Sequence, residues 1–389
     1  MNSSAGTAVT APAGFEAAGV AAGLKASGAL DLALVVNRGP RQDAAVVFTS
    51  NRAQANPIIW SKQVAADGRV SAIVLNSGGA NCFTGAEGFQ TTHATAEAVA
   101  ESLGVSAGDV LVCSTGLIGD QLPREKLVAG VASAASVLGA GGGADAAAAI
   151  MTTDTRPKTV VIERDGWRVG GMAKGAGMLA PGLATMLVVL TTDADVDASA
   201  LDAVLRAATR VSFDRLDSDG CMSTNDQVSL LASGASGVAP SAAELTEAVT
   251  AACLDLARQL QGDAEGASHD IAIEVVHAAS EDDAVEVGRA VARSNLFKAA
   301  IFGNDPNWGR VLAAIGTTRA AFDPYAVDVA MNAVRVCSSG APDRPRDEVD
   351  LTPRATHVLI DLKAGDATAT ILTNDLTHDY VHENSAYAS

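Results

Sequence analysis

The residues best suited to chemistry lie in one segment near the middle of the chain, 172–187. There Lys174 stands among glycines, a Pro-Gly turn follows, and Thr185 comes directly before an apolar run. A Thr hydroxyl is a weak nucleophile at neutral pH and needs a base beside it. If the bond between Ala184 and Thr185 were cut, the new α-amine, with an ordinary pKa of about 7.7–8.0, would be that base. The segment therefore predicts a self-cleaving enzyme with Thr185 as its nucleophile.

The ordinary alternative for Thr185 is structural. Threonine is a common strand residue, and most threonines ahead of a Val/Leu run only begin a strand. Spacing alone does not decide between the two interpretations, so the rest of the chain must.

Two further segments carry side chains suited to acyl transfer. Thr115 and Gly116 follow a predicted buried strand, and α/β proteins present groups to ligands at the carboxyl ends of such strands. A threonine hydroxyl and a glycine N–H could stabilise a tetrahedral oxyanion, at ~3–4 kcal/mol per donor; the alternative is a simple strand-to-loop turn. Glu265 lies at a predicted domain junction, where its carboxylate could hold a substrate amine or could belong to a solvated turn.

Segment 302–310 is predicted to be a turn that is rich in functional side chains. Its Asn, Asp and Pro residues are ordinary for a turn. Trp308 and Arg310 are harder to explain structurally, because both side chains need partners when they are buried.

Several familiar motifs are excluded. The G-x-S-x-G pattern at 104–108 follows a helix and precedes a strand, the reverse of a nucleophile elbow. The glycines near Lys174 match neither common phosphate-binding motif. The six His residues stand singly and the five Cys residues form no C-x-x-C pair, so we expect no metal site and no disulfide framework. Cys113 is interpreted as a small buried hydrophobe rather than a nucleophile.

The composition limits the class of protein. The chain has 389 residues, of which 48% are hydrophobic and only 4% aromatic, so its core is expected to consist of Ala, Val and Leu. Twenty-seven basic against 45 acidic residues give a net charge of −18, which argues against nucleic acid or an anionic membrane as partner. We expect no signal peptide, because no positive charge precedes Lys25 and no long apolar stretch follows the start. No run approaches the ~18 apolar residues that a membrane span needs. A soluble cytoplasmic enzyme is expected.

Hydrophobic periodicity predicts alternating strands and helices along the chain. Such mixed elements, without strict βαβ repetition, favour a layered α/β fold over a doubly wound dinucleotide binder. The last three predicted strands are expected to share one sheet. The predicted strands are 30–36, 44–49, 70–75, 109–113, 186–190, 227–232, 271–276, 327–331, 357–362 and 368–372, and the predicted helices are 90–103, 127–138, 199–208, 242–261 and 281–295.

Taken together, the motifs resemble those of the ornithine acetyltransferase family, the bifunctional arginine-biosynthesis proteins also called glutamate N-acetyltransferases. The similarity runs from about residue 11 to residue 389, with the motifs in order. They are Ser-Thr-Gly at 114–116, Met-Thr-Thr-Asp at 151–154, Lys-Gly-Ala-Gly-Met-Leu-Ala-Pro at 174–181, Ala-Thr-Met-Leu at 184–187, Ser-Thr-Asn-Asp at 223–226, Asp-Pro-Asn-Trp-Gly-Arg at 305–310 and Asn-Ser-Ala-Tyr-Ala-Ser at 384–389.

The resemblance implies a precursor that cleaves itself between Ala184 and Thr185 into an α chain (1–184) and a β chain (185–389), which assemble as an α2β2 heterotetramer. It implies an N-terminal-nucleophile-like α/β core. The pattern restarts with a strand beyond Gly262, so we expect a domain boundary near 262–270, with the catalytic core at 1–265 and a smaller C-terminal α/β domain at 266–389. It also implies transfer of acetyl from N2-acetyl-L-ornithine to L-glutamate by a ping-pong mechanism through an acetylated Thr185. No cofactor is expected, and acetyl-CoA stays open as a second acetyl donor.

Site residues follow from the resemblance position by position. Thr115 and Gly116 match the oxyanion-stabilising positions of the family. The substrate-contacting positions are matched by Thr152, Lys174, Thr185, Glu265, Asn384 and Ser389. Lys174 could pair with a substrate carboxylate and Glu265 with a substrate amine.

The chain departs from the family pattern at a few positions, and two other functions are weighed. His269 stands where many relatives have Lys, a change that could affect the charge balance around the substrate, and Ser389 stands where Thr is more usual. The first alternative function is a related self-cleaving aminopeptidase or amidase, which would let water reach the acyl-enzyme. The second is a metabolite-binding protein without catalysis.

Overall fold

The computed structural model describes residues 6–180 and 186–386. The strands in these ranges are β1 (Phe15–Val20), β2 (Leu32–Asn37), β3 (Asp43–Phe48), β4 (Ala72–Asn76), β5 (Val110–Ser114), β6 (Lys158–Arg164), β7 (Trp167–Lys174), β8 (Leu187–Thr192), β9 (Gln227–Ala232), β10 (Asp270–Ala278), β11 (Asp328–Met331), β12 (Val334–Ser338), β13 (Ala341–Pro342), β14 (Ala355–Asp361) and β15 (Ala367–Asn374). The helices are α1 (Asn56–Val64), α2 (Gly85–Leu103), α3 (Arg124–Ser136), α4 (Gly143–Ala149), α5 (Ala198–Val211), α6 (Ala242–Gln261), α7 (Glu281–Ala292), α8 (Asn295–Phe302), α9 (Trp308–Ile315) and α10 (His378–Ala386).

Two sheets stack face to face in the first part of the chain. One sheet has the strand order β1-β2-β4-β5, and the other has the order β3-β9-β8-β7-β6. Because alternate side chains of a strand point to opposite faces, Ala33 and Val35 of β2 contribute to the core between the sheets. Leu32 and Leu34 of the same strand pack on the outer face instead, against α2 and α3. The mixed α/β fold expected from the sequence is confirmed.

A fourth layer covers the other face of the five-stranded sheet. Helices α5 and α6 bury Leu, Val and Ala side chains against Val188 and Leu190 of β8. Helix α6 begins with a capping box, in which Ser241 accepts the Glu244 N–H and the Glu244 carboxylate accepts the Ser241 N–H, so two unpaired N–H groups at the helix start are satisfied. From one side of this part of the molecule to the other, the layers are therefore α2 and α3, the four-stranded sheet, the five-stranded sheet, and α5 and α6.

A separate six-stranded sheet is built from residues C-terminal to 265. Its order is β13-β12-β11-β14-β10-β15, and it has its own hydrophobic core with α7 and α9. The three last predicted strands do share this sheet, as β11, β14 and β15. The domain boundary at 265/266 itself remains a prediction.

The long helix predicted at 281–295 ends at Ala292 in the structure, and a new helix begins at Asn295. The break has a local cause, because the Ser294 side chain accepts the Phe297 N–H and caps α8. The predicted turn at 302–310 is likewise partly helical, since α9 begins at Trp308. Within the described ranges, no helix combines the length and the apolar character needed to cross a membrane.

Candidate active site

One cavity of about 360 Å³ lies at the carboxyl ends of β5 and β7, where the two stacked sheets and the segment after α6 meet. The predicted residues that line it are Thr115, Gly116, Thr152, Lys174, Glu265 and Asn384. These positions are far apart in the chain, so their meeting is a property of the fold. The predicted cleavage site, Ala184 and Thr185, and the predicted contact Ser389 lie outside the described residues.

Lys174 is the last residue of β7 and its side chain is buried, with 2% of its surface exposed. Its Nζ donates a hydrogen bond to Thr115 Oγ1 at 3.2 Å. Burial lowers the pKa of Lys174, and the nearby acids Asp154, Asp226 and Glu265 oppose this shift. Among the described residues, Thr115 Oγ1 is the one hydrogen-bond acceptor of Lys174 Nζ, so this ammonium is suited to bind a ligand carboxylate.

Thr115 is well placed to donate a hydrogen bond into the cavity. Its Oγ1 already accepts from Lys174, so its own proton is left for another acceptor. The main chain around it is held by two hydrogen bonds, from the Thr115 N–H to the Asn76 carbonyl at 2.9 Å and from the Gly79 N–H to the Thr115 carbonyl at 3.0 Å. The donor is therefore presented from a fixed loop.

Gly116 cannot be replaced by another residue without strain. Its φ is +129°, and a Cβ there would lie 2.8 Å from the Gly79 nitrogen. The loop 76–81 thus packs directly on the Gly116 backbone, which requires a glycine. Among the described residues, the Gly116 N–H has no hydrogen-bond acceptor. Thr115 and Gly116 together offer the two donors expected of an oxyanion-binding site.

Glu265 forms the opposite, acidic side of the cavity. Its Oε1 accepts from the Thr153 hydroxyl at 2.7 Å, and its Oε2 accepts from Asn384 Nδ2 at 3.0 Å. A Cβ on Gly177 would lie 2.5 Å from the Glu265 carboxylate oxygens, so the glycine makes room for this carboxylate. Asn384 of α10 also lines the cavity, and this hydrogen bond holds its side chain against Glu265.

Lys158, Asp154 and Asp263 form a buried charge cluster next to the cavity. Lys158 Nζ lies 2.6 Å from a carboxylate oxygen of Asp154 and 2.6 Å from one of Asp263. Asp154 also accepts the Thr152 N–H at 2.9 Å and the Gly175 N–H at 2.7 Å. Burial would raise the pKa of Asp154, but Lys174 and Lys158 lower it to about 2. This cluster fixes the backbone on both sides of the cavity.

The sequence motif at 223–226 has a structural explanation that its residues alone did not reveal. Asn225 Nδ2 donates to the Ala80 carbonyl at 2.6 Å and to the Ser114 carbonyl at 2.8 Å. Asn225 therefore joins the end of β5, next to Thr115, to the 76–81 loop. The one signal in the sequence for this contact is that Asn225 and Asp226 stand directly before a buried strand.

Several other candidates lie away from the cavity. His269 lines neither this cavity nor its neighbour; its Nδ1 lies 2.8 Å from Asp375 Oδ2 and its Nε2 lies 2.9 Å from the Leu351 carbonyl. The His269 ring is therefore held by Asp375 and Leu351 and does not line the cavity. Trp308 packs against the C-terminal core, and the Arg310 guanidinium donates to the Leu296 carbonyl. Both side chains of that segment thus have structural partners.

A second cavity, of about 780 Å³, adjoins the first and shares Thr153 and Glu265 with it. Asp379 and Glu383 of α10 add carboxylates to its wall. Burial raises the pKa of Glu383, and repulsion from Glu265 and Asp379 adds to this shift. Cys113, as expected, is buried, and burial raises the pKa of its thiol.

The fold and the cavity are those of a layered α/β enzyme, and the cavity with Lys174 and Glu265 in its lining is the candidate active site. A sequence model of the ArgJ family matches residues 16–389. Two curated relatives, both called arginine biosynthesis bifunctional protein ArgJ, come from Streptomyces coelicolor and Streptomyces avermitilis. They are 65% and 66% identical to this chain over 381 residues, which is 98% of this chain and 100% of each relative. The chain belongs to the ArgJ family, as the sequence motifs had indicated.

A solved structure is also similar to part of the chain. The ornithine acetyltransferase of Mycobacterium tuberculosis, complexed with ornithine, is 58% identical. The match covers 46% of this chain and 96% of that one, with a TM-score of 0.45.

Proposed function

We propose that this chain transfers an acetyl group from N2-acetyl-L-ornithine to L-glutamate in arginine biosynthesis, through an acetylated Thr185. The observation that carries the proposal is the single cavity in which Lys174, Thr115, Gly116 and Glu265 meet. Membership of the ArgJ family supports the same activity. The hydrolytic alternative is not favoured, because the relatives that match the whole chain are named for arginine biosynthesis.

The charges of the cavity match those of the donor substrate. N2-acetylornithine carries a carboxylate next to the acetylated nitrogen and an ammonium at the end of its side chain. Lys174 is placed for the carboxylate, and Glu265 for the ammonium. The acetyl carbonyl would then lie near Thr115 and Gly116, whose donors stabilise the oxyanion as it forms. Thr152 and Asn384 complete the contacts, and Ser389 stays a proposed contact.

Self-cleavage prepares the nucleophile. The Thr185 hydroxyl oxygen attacks the Ala184 carbonyl carbon, and the hydroxyl proton passes to the peptide nitrogen. The C–N bond breaks and leaves an ester, which water hydrolyses to the Ala184 carboxylate and free Thr185. The α-amine released in this way is the base for every later turnover.

Acetyl transfer then takes two steps. The α-amine accepts the Thr185 hydroxyl proton while the oxygen attacks the acetyl carbon. The proton moves to the departing nitrogen, and ornithine leaves. The amine of glutamate next attacks the acetyl ester, N-acetylglutamate leaves, and the hydroxyl is restored. One amide replaces another, so no external energy source is required, and water must be kept from the ester.

The remaining expectations belong to the same proposal. We propose that the α chain (1–184) and the β chain (185–389) assemble as an α2β2 heterotetramer in the cytoplasm, and that transfer needs no bound cofactor. Acetyl-CoA as sole acetyl donor is a separate activity, which mass spectrometry of acetylglutamate formed without acetylornithine would test.

The decisive experiment combines a denaturing gel with a transfer assay. The wild-type protein should run as two chains and convert acetylornithine and glutamate to ornithine and acetylglutamate. Thr185→Ala should remain one uncut, inactive chain. Thr159→Ala is the matched control, because Thr159 lies exposed on β6. A Thr185→Ala protein that is cut and active would refute the proposal, and acetate release regardless of glutamate would indicate a hydrolase.

A further inference from the structure

A cavity of about 500 Å³ lies where the end of α5 and the turn after it meet α7, and the mechanism above does not use it. Four arginines line it: Arg210 and Arg215 from the first side, and Arg289 and Arg293 from α7 and the residue after it. We call it the arginine cavity. No described residue lines both this cavity and the one that contains Lys174.

Arg215 is buried in the wall of the arginine cavity, with 6% of its surface exposed. Its Nε donates to the Arg210 carbonyl at 2.9 Å, and its Nη2 donates to the Glu281 carboxylate. Its Nη1 is also buried, and it has no hydrogen-bond partner in the part of the chain that the structure describes. A guanidinium has five N–H donors, so the two on Nη1 are unused.

Arg289 lines the same cavity from α7 and also has an unused donor. Its Nη2 donates to the Asp214 carbonyl at 2.8 Å, whereas its Nε is buried without a partner among the described residues. Burial lowers the pKa of Arg289, and the charges of Arg293 and Arg215 lower it further. Asp217, which pairs with Arg293 at 2.7 Å, and Asp214 oppose this shift. Buried N–H groups are normally paired, so both guanidiniums need an acceptor.

The acidic residues nearby do not supply this acceptor. Glu281 is shared by Arg210 and Arg215, so one carboxylate serves two guanidiniums. Four of the described lining residues are arginines and two, Asp214 and Asp282, are acids. The arginines thus outnumber the acids in this lining, which favours an anionic ligand.

The arrangement of the donors favours phosphate over a carboxylate. Guanidinium groups bind both anions through parallel N–H donors. The oxygens of a carboxylate lie in one plane, whereas those of a tetrahedral phosphate point in several directions. Because Arg215 and Arg289 belong to different elements, an anion that accepts from two sides fits them better.

We propose that the arginine cavity binds a phosphate group, carried by inorganic phosphate or by a small phosphate monoester. The unused N–H groups of Arg215 and Arg289 donate to its oxygens. The anion joins the end of α5 to α7 and therefore stabilises the folded protein. This site goes beyond the proposed acetyl transfer and does not depend on it.

Calorimetric titration of the full-length protein tests the site directly. Inorganic phosphate and glycerol phosphate are titrated separately, with NaCl holding the ionic strength constant. We expect saturable binding with a Kd of ~1 mM or tighter and a Tm that rises with ligand concentration. Tighter binding of the monoester would identify a phosphorylated metabolite as the ligand, and equal or weaker binding would identify inorganic phosphate.

Two variants assign the binding to the unused donors. Arg289→Met removes the charge and the free Nε–H, whereas Arg215→Lys keeps a cation and removes Nη1. Each should weaken phosphate binding about tenfold or more. Arg206→Met is the matched control, since Arg206 lies exposed on α5 and pairs with Asp202. Arg289 is less buried than Arg215, so Arg289→Met keeps the test valid if circular dichroism shows that Arg215→Lys does not fold.

Three results would overturn the proposal. The first is the absence of saturable phosphate binding, as expected if water alone satisfied the free N–H groups. The second is wild-type affinity in both folded arginine variants. The third is loss of binding in Lys174→Met but not in Arg289→Met, which would place the phosphate in the other cavity. Normal cleavage of Thr185→Ala would refute the proposed function and leave these titrations unaffected.

Discussion

Replacing Lys174 with Met tests the central electrostatic feature of the cavity. Methionine has nearly the same length and is apolar, so the change removes the ammonium and leaves most of the volume filled. The substrate carboxylate would lose a charge-assisted partner, and Thr115 would lose the donor that orients its hydroxyl. Both losses act where transfer occurs.

The size of the effect follows from the burial of this group. Removing one partner of a buried, hydrogen-bonded charge pair costs about 2–5 kcal/mol. Because Lys174 is 2% exposed, water cannot replace it, and the middle of that range applies. We expect kcat/KM for acetylornithine to fall by about 2–4 kcal/mol, which is about 30- to 1000-fold.

The assay is steady-state transfer by the processed protein, with acetylornithine and glutamate varied in turn. Lys62→Met is the matched control, since Lys62 lies exposed on α1, and it should leave both constants unchanged. If Lys174→Met kept kcat/KM within about threefold of wild type for both substrates, the assignment of Lys174 as the carboxylate partner would be refuted.

Three further results are expected. The KM for acetylornithine should rise with pH at a lower pH than an ordinary lysine would give, since the pKa of Lys174 is lowered by burial; a flat KM up to pH ~10 would contradict this. Gly177→Ala should raise the KM for acetylornithine about tenfold or more, because its Cβ would lie 2.5 Å from the Glu265 carboxylate oxygens. Gly139→Ala, at an open position, is its control in the same KM measurement. In acid, the folded protein should lose about 2 kcal/mol of unfolding free energy as pH falls from ~4 to ~2, since the pKa of Asp154 is about 2 in the fold against an ordinary 3.8. Urea titrations at several pH values measure this loss, which should be absent from Asp154→Asn.

Periodic segments were predicted well from the sequence. Strand β9 and helix α6 begin and end where hydrophobic periodicity places them, because each has one regular pattern and clear boundaries. Strand β7 was missed, since its two adjacent glycines give no alternation and both of its faces are buried. Helix α9 was missed because Asn, Asp and Pro before it favour a turn.

Part of the candidate site was also predictable from the sequence, and part was not. The motifs named Thr115, Gly116, Lys174 and Glu265, and the structure brings all of these to one cavity. The contacts of Asn225 were not visible, because its partners are the backbone carbonyls of Ala80 and Ser114, which are far from it in the chain. Thr185 stays a prediction, since it lies outside the described residues.

By itself the sequence determined the types of reactive side chain, the family, and the elements whose patterns repeat along one strand or helix. These properties are local, so neighbouring residues carry them. Only the tertiary structure decided which charges are buried together and which atoms lack a partner. Burial and pairing depend on residues far apart in the chain. Asp154, from another loop, opposes the fall in the pKa of Lys174 that burial causes. Asp226 accepts the Met186 N–H only because β8 and β9 are neighbours in the sheet.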